Sequence, residues 1–282
     1  MDVSIIIPCS ANHRKYLREL FEGLLNQSYR GLREILLVME EADGKDVEEI
    51  REDSGARILF SNAKSPSINR NIALREATGG IVVFIDSDCI PKENWLENLL
   101  KPLDKFEGSQ GIDYSYDDTY LGKFMEKQQL EYLRNSVDGG FCRFIDTRNC
   151  AVRMDALKKV GFFDEKLETS EDRDLGYRLF KAGCRVVLNK DAVVLHRWKK
   201  GSLWGFFKWG LWYGKGDYIF SRKWPDLGGG GLGSVLRDIR SSFFYGVIAI
   251  RKAGDEREVN LLFAARQVGV ACGKLRAMLL RA

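Results

Sequence analysis

The chain has 282 residues, 45% of them hydrophobic and 30% charged, which suits a folded protein and excludes disorder over most of its length. Its net charge of +4 conceals an asymmetry: residues 1–196 carry 28 basic and 34 acidic side chains, whereas residues 197–282 carry 16 and 6. No apolar run approaches the ~20 residues of a spanning helix, no leader pattern opens the chain, and six scattered cysteines form no C-x-x-C pair, so a cytoplasmic protein with reduced thiols is expected.

Val3 to Ile7 is apolar throughout and closes at Pro8, which predicts a strand buried on both faces, with Cys9 to His13 as the following loop. Leu17, Leu20, Phe21, Leu24 and Leu25 recur at helical spacing and predict a helix over Tyr16 to Asn26. Glu34 to Val38 is a second buried strand. It leads into the acidic turn Glu40 to Gly44, a helix over Asp46 to Asp53 and a strand at Arg57 to Phe60. Ser65 and Pro66 then suit a helix start, and Gly79-Gly80 its stop.

Ile81 to Ile85 is the most telling run: five apolar residues bounded by turn signals, ending in Asp86-Ser87-Asp88. The alternation so far predicts an α/β fold with a mainly parallel sheet flanked by helices. Ligands of such sheets bind beyond the carboxyl ends of the strands. Two carboxylates placed there repel unless a cation lies between them, and Mg²⁺ or Mn²⁺ carrying a diphosphate meets that need; the plain alternative is a polar turn.

Beyond Pro91 a short helix passes through Trp95, Leu96, Leu99 and Leu100, and a further helix is expected near Tyr120 to Asn135. Phe141 to Asp146 is expected as a strand. Helices follow over Asp155 to Val160, closed by Gly161, and over Glu171 to Ala182, closed by Gly183. Two short strands, Arg185 to Leu188 and Ala192 to Leu195, end the body.

Several stretches fall in a telling order: VSIIIP, Q-S-Y before E-I-L-L-V, N-R-N-I-A-L-R-E-A-T-G-G, F-I-D-S-D-C-I-P, G-F-F-D-E, S-E-D-R-D-L-G-Y-R-L-F-K-A-G and V-V-L-H. Together they resemble the family 2 glycosyltransferases, inverting enzymes of the GT-A fold, over roughly residues 2 to 200. The resemblance implies transfer from a nucleoside-diphosphate sugar with Mn²⁺ or Mg²⁺. It assigns Pro8, Ser10 and Asn12 to the base and ribose pocket, and Arg70 to a base edge or phosphate. Where the family has Asp-Asp-Gly-Ser this chain has Glu40-Glu41-Ala42-Asp43-Gly44, with Glu40 as the stand-in acid. Asp86 and Asp88 take ribose, metal and diphosphate, and His196 approaches the metal. Two histidines, His13 and His196, are too few for a zinc site. Of Glu171-Asp172, Asp172 is the expected general base, held ionised by the helix end. The competing role is a cap, through Thr169-x-x-Asp172. Thr147-Arg148-Asn149 and Glu171 line the sugar and acceptor side in the same resemblance.

The expected domains are 1–200, catalytic, and 201–282, helical and membrane-proximal or oligomerising. Trp198, Trp204, Trp209, Trp212 and Trp224 interleave with Lys199, Lys200, Lys208, Lys215, Arg222 and Lys223, a mixture that headgroups select. A hinge at Gly228 to Gly233 leads to Val235 to Leu280, where Leu261, Leu262, Ala265, Val268 and Cys272 are expected on one apolar face. An anionic membrane surface on the cytoplasmic side is the expected partner, with a glycan or lipid-linked acceptor. A homodimer is the alternative, and nucleic acid is disfavoured by the tryptophan content. Two other functions compete: a nucleotidyltransferase, whose Gly-rich, Lys-containing loop is missing after the first strand, and a non-catalytic nucleotide-sugar-binding protein docked at a membrane.

Overall fold

The computed structural model describes residues 2–280 apart from 30, 32, 42–49, 51, 53, 200 and 229. The acidic turn at 40–44 and the helix at 46–53 therefore fall largely outside the described residues. The chain divides into two compact units. The first holds residues 1–116, 125–165 and 171–197; the second holds 117–124, 166–170 and 198–282.

The first unit is built on a sheet of eight strands. In chain order these are β1 (Val3–Cys9), β2 (Arg33–Met39), β3 (Arg57–Phe60), β4 (Ile81–Ile85), β5 (Cys89–Pro91) and β6 (Gly108–Ser115). A small hairpin of β7 (Val137–Asp138) and β8 (Phe141–Cys142) stands apart, before β9 (Asn149–Arg153) and β10 (Val186–His196) complete the sheet. The spatial order is β3-β2-β1-β4-β9-β6-β10-β5. The first four strands are parallel, β9 runs against both β4 and β6, β6 and β10 are parallel, and β5 is antiparallel to β10.

The apolar runs bury both faces, as their composition requires. Ile5, Ile7, Val83 and Ile85 face a layer containing Leu20, Leu24, Trp95 and Leu99; Ile6, Val82 and Phe84 face Leu74, Leu157, Leu175 and Leu179. The first layer comes from α1 (Leu17–Leu25) and α3 (Trp95–Leu100), the second from α2 (Pro66–Glu76), α5 (Met154–Val160) and α6 (Glu171–Lys181). Gly161 and Gly183 close α5 and α6 with φ of 80° and 77°. The helix α4 (Tyr120–Ser136) begins in the second unit and continues in the first.

Several elements differ from the sequence expectation. The loop expected over 9–13 begins later, because β1 runs through Cys9, and a 3₁₀ turn occupies Ala11–Tyr16. Gly79-Gly80 does not terminate α2 by a left-handed cap: the helix ends when Ala77 turns extended, and Gly79 is small because a Cβ there would lie 2.6 Å from the Ser4 amide. The strand expected over 141–146 shrinks to the two residues of β8, while the sheet takes β6 and β9 instead. The two short strands at the end of the body are one strand, β10, whose register shifts between Leu188 and Val193.

The second unit is carried by three helices, α7 (Leu203–Lys223), α8 (Leu232–Ile250) and α9 (Gly254–Leu280). Ser202 caps α7 by accepting from the Gly205 amide. Gly210 and Gly214 of α7 lie against the Arg266 and Val270 carbonyls of α9, and Gly269 and Gly273 of α9 lie against those of Phe207 and Leu211. Small residues four apart on both helices thus let two backbones touch. Lys274 of α9 draws Asp238 of α8 to 2.7 Å. The single apolar face expected on 261–272 is divided: Leu262 is buried and Ala265 and Cys272 half-buried, but Leu261 and Val268 are exposed.

Candidate active site

The site begins where β4 ends. Asp86 is half-buried and Asp88 buried, with Ser87 between them pointing into the protein. The short β5 turns back antiparallel to β10 and registers Cys89 against His196, so the histidine at the end of β10 arrives beside Asp88. His196 Nε2 lies 3.5 Å from Asp88 Oδ1, and His13 Nδ1 lies 3.4 Å from Oδ2. Both separations exceed a good hydrogen bond. The two histidines, 183 positions apart, therefore bracket one carboxylate, which their count alone does not disclose. Asp88, Cys89 and His196 offer ligand atoms all within 4.8 Å of one another. Carboxylate and imidazole suit a divalent ion such as Mn²⁺, whereas burial pushes the Cys89 thiol well above its usual range and keeps it neutral.

Arg70 organises the other half. Its two terminal nitrogens donate to Glu171 Oε1 at 2.8 Å and Asp86 Oδ1 at 3.0 Å, and its side chain is almost fully enclosed. Burial alone would ease its proton off, but Asp86 and Glu171 raise its pKa further. The sequence expectation had this fork meeting a base edge or phosphate; in the structure both arms are engaged by carboxylates, because a buried guanidinium requires paired anions. Next to it, Asn71 brackets Phe163, donating to its carbonyl and accepting from its amide, both at 3.0 Å.

Asp172 opens α6 beside Glu171, directly after Ser170, whose φ of 60° is unusual for a non-glycine residue. Its Oδ1 accepts from the Arg173 amide at 2.7 Å, a local bond and not the expected box with Thr169. Burial, reinforced by the charges of Glu171 and Asp146, raises the Asp172 pKa well above the usual carboxylate range. The expectation that the helix end holds it ionised is thus reversed, since desolvation and like charge outweigh the dipole. Asp146, despite its burial, is held down at about 2 by Arg148, which meets it at 2.6 and 3.0 Å. Asp146 and its partner Gln129, at 2.7 Å, belong to no recognisable motif, so nothing in the sequence marks them.

Pro8, Ser10 and Asn12 sit at and just beyond the end of β1, Ser10 and Asn12 exposed. The register of Cys9 against Met39 brings them beside the half-buried Glu40, and Arg14 donates to the Glu40 carbonyl at 2.8 Å, tying the two loops together. Asn149 does not belong with them. It lies in β9, buried, accepting from Trp95 Nε1 at 2.8 Å and donating to the carbonyls of Ile112 and Ala192. With both ends of its amide engaged by the core, Asn149 ties β9 to the backbone of β6 and β10.

Comparison with known proteins gives these positions a context. A mannosyltransferase from Pyrobaculum calidifontis, solved in complex with GDP-Man and Mn²⁺, superposes with a TM-score of 0.63 at 18% identity, covering 99% of this chain and 75% of its own. TarS of S. aureus, solved with UDP, gives 0.54 at 15% identity, covering 100% and 92%. These likenesses establish the GT-A fold. Among sequence relatives, the pre-mycofactocin glycosyltransferase of Mycobacterium tuberculosis is 27% identical over 212 residues, 69% of this chain and 42% of that protein. Glycosyltransferase GlyG of Streptococcus pneumoniae is 25% identical over 221 residues, 71% and 72%. The chain thus spans about two fifths of the mycobacterial relative's length. Residues 4–161 match the family described as glycosyl transferase family 2, and the chain belongs to it.

Proposed function

We propose that the protein is an inverting glycosyltransferase that moves a sugar from a nucleoside-diphosphate sugar to a hydroxyl acceptor, with Mn²⁺ or Mg²⁺ bound. One observation carries this: Asp88 meets His196 on one side, and on the other Arg70 joins Asp86 to the Glu171-Asp172 helix start. The relatives solved with GDP-Man and Mn²⁺ and with UDP support this donor class and a divalent metal. Asp88 and His196 would hold the cation, whose chemistry is to neutralise charge developing on the departing diphosphate. Asp86 faces the ribose, with Pro8, Ser10, Asn12 and Glu40 walling the base. Arg70 acts as a positioning residue, fixing Asp86 and Glu171. Asp172 accepts the proton of the acceptor hydroxyl, and a raised pKa suits a base that must hold that proton during transfer.

The same proposal extends to the whole chain. Residues 1–200 form the catalytic domain, and 201–282 bring it to the cytoplasmic face of a membrane, where a lipid-linked or membrane-associated glycan is the acceptor. Among the described residues no helix is long and apolar enough to cross a membrane; the excess of basic residues after 196 favours an anionic surface over a second basic copy, and the tryptophan content favours a lipid surface over nucleic acid.

Thermal unfolding with UDP, GDP and TDP, in Mn²⁺, Mg²⁺ or EDTA, tests the site. A nucleotide at 100 times its Kd stabilises by ~2.7 kcal/mol, and that increment should require metal and vanish in Asp88→Asn without lowering the ligand-free transition. If no nucleotide binds better with metal than with EDTA, the assignment of Asp88 is wrong.

A further inference from the structure

Most of the large apolar side chains left exposed among the described residues belong to the second unit, and on α8 they are ordered. Leu232, Leu236, Ile239, Phe243 and Ile250 are all exposed, Phe243 at 73% and Ile250 at 83%. At ~100° per residue these five positions fall within about 60° of one another along ~27 Å of helix axis. One flank of the stripe, about 60–120° around the helix from Leu232, is already occupied: Val235 and Ala249 are buried, Ser242 Oγ donates to the Ala264 carbonyl, and Asp238 meets Lys274. Beside the stripe, about 80–140° around the helix, runs a second exposed row containing Arg237, Arg240, Phe244 and Arg251.

A contiguous exposed apolar stripe marks an interaction surface, and charge decides its occupant. A second copy would bring a region with 16 basic and 6 acidic residues against the same region, so like charges would meet across the contact. An anionic bilayer offers the complement to both rows. We propose that α8 is the membrane-seated element of this protein, lying in the interfacial plane with Leu232, Leu236, Ile239, Phe243 and Ile250 at the acyl boundary and Arg237, Arg240 and Arg251 on headgroup phosphates.

This rests on the membrane association proposed above and moves its centre away from the tryptophan-rich α7. Trp209 there is packed by Phe206, Tyr213 and the Arg266 guanidinium, whose carbon lies 4.4 Å from a Trp209 ring centre. Of the five tryptophans between 198 and 224, Trp204 and Trp212 are the exposed ones.

The test is co-sedimentation of the full chain with phosphatidylcholine vesicles, with and without phosphatidylglycerol. Three proteins are compared: wild type, Leu236→Gln/Ile239→Gln/Phe243→Gln, and Trp204→Ala/Trp212→Ala. Because the α8 positions are solvent-exposed, the triple variant should unfold at the wild-type temperature or above. Wild type should pellet with phosphatidylglycerol vesicles, the α8 variant should partition at least ~10-fold less, and the tryptophan variant should lose less than the α8 variant. Arg237→Glu/Arg240→Glu should weaken binding to anionic vesicles specifically. If wild type pellets and the α8 variant pellets equally, the placement on α8 is overturned while membrane association stands. If wild type stays in the supernatant with both vesicle types, membrane association itself fails; a dimer by light scattering that the α8 variant abolishes would then give the stripe to a second copy.

Discussion

At Asp172 the surroundings oppose ionisation: the carboxylate is desolvated and stands near Glu171 and Asp146. A raised pKa means the folded state binds the proton more tightly than the unfolded chain does. Between the ordinary carboxylate pKa and the raised one, stability falls as pH rises, because the unfolded chain releases a proton that the folded protein retains. Asp172→Asn removes that cost. It should raise the ligand-free transition at neutral pH by at least ~2 °C, the response of a domain of this size to ~1 kcal/mol, while cutting transfer by at least ~10²-fold. In the wild type, transfer should fall away on the acid side at a pH above the ordinary Asp value of about 4. A variant that is both less stable and fully active would return Asp172 to a capping role.

Arg70 shows the opposite sign. Buried between Asp86 and Glu171, it is the counter-charge that lets two carboxylates remain inside. Arg70→Met should cost ~3–5 kcal/mol, the usual result of stranding one side of a buried pair. Adding Glu171→Gln should recover part of the loss, because the stranded charge is then removed. Urea denaturation of the single and double variants measures this, and equal midpoints for wild type and Arg70→Met would mean that the bridge carries no weight. The need for positive charge near Asp86 is legible in the sequence, but there a metal ion meets it and Arg70 falls to a base edge or phosphate. The partners of Arg70 are not legible, because Glu171 lies 101 positions away and only the packing of α2 and α6 into the same core layer of the sheet brings them together.

At the scale of elements, what could be read from sequence was what packing writes as a pattern. The strands β1, β2 and β4 announce themselves as apolar runs because both sheet faces bury them. The strands β6 and β9 do not, because they bury polar side chains. Gln110 accepts from the Asp146 amide and donates to the Asn149 carbonyl, and Asn149 bonds the backbone of β6 and β10. A strand whose interior is satisfied by hydrogen bonds carries no hydrophobic period. The close pairing of α7 and α9 was hidden likewise, since a glycine has no side chain to contribute to a pattern. It makes a prediction in which context reverses propensity. Alanine normally improves a helical glycine by ~0.5–1 kcal/mol, and Gly246→Ala on α8, where a Cβ meets nothing within 4 Å, should do so. Gly214→Ala instead drives a methyl into the Val270 carbonyl and should destabilise by ~1–3 kcal/mol. Chemical denaturation of the two variants compares them directly, and a gain in both would show that α7 and α9 relax apart without penalty.

At the scale of the whole chain, the expected boundary near residue 200 coincides with only one of the crossings between units. The second unit also takes residues 117–124 and 166–170 from the middle of the sequence. Phe124 packs against Phe263 with ring centres 4.5 Å apart and edge-on to Tyr245 at 6.1 Å, Lys215 reaches Glu168 at 3.0 Å, and Leu121 and Leu167 are buried. Cutting the chain after Arg197 would remove α7, α8 and α9 and leave those side chains without the surfaces that cover them. Burying a side chain of the size of Leu or Phe is worth ~1.5–3 kcal/mol, so three of them uncovered together give an apolar patch that favours association. The fragment 1–197 should therefore express mainly as aggregate, and its soluble part should elute as oligomers in size-exclusion chromatography with light scattering. Leu121→Ser/Phe124→Ser/Leu167→Ser in the same fragment should restore a monomer, and nucleotide binding in the presence of Mn²⁺ then reports on the first unit alone. A monodisperse, unmodified fragment with the full-length unfolding temperature would instead establish that the two inserted segments are incidental, and that a division at residue 200 describes the protein better than the division into compact units.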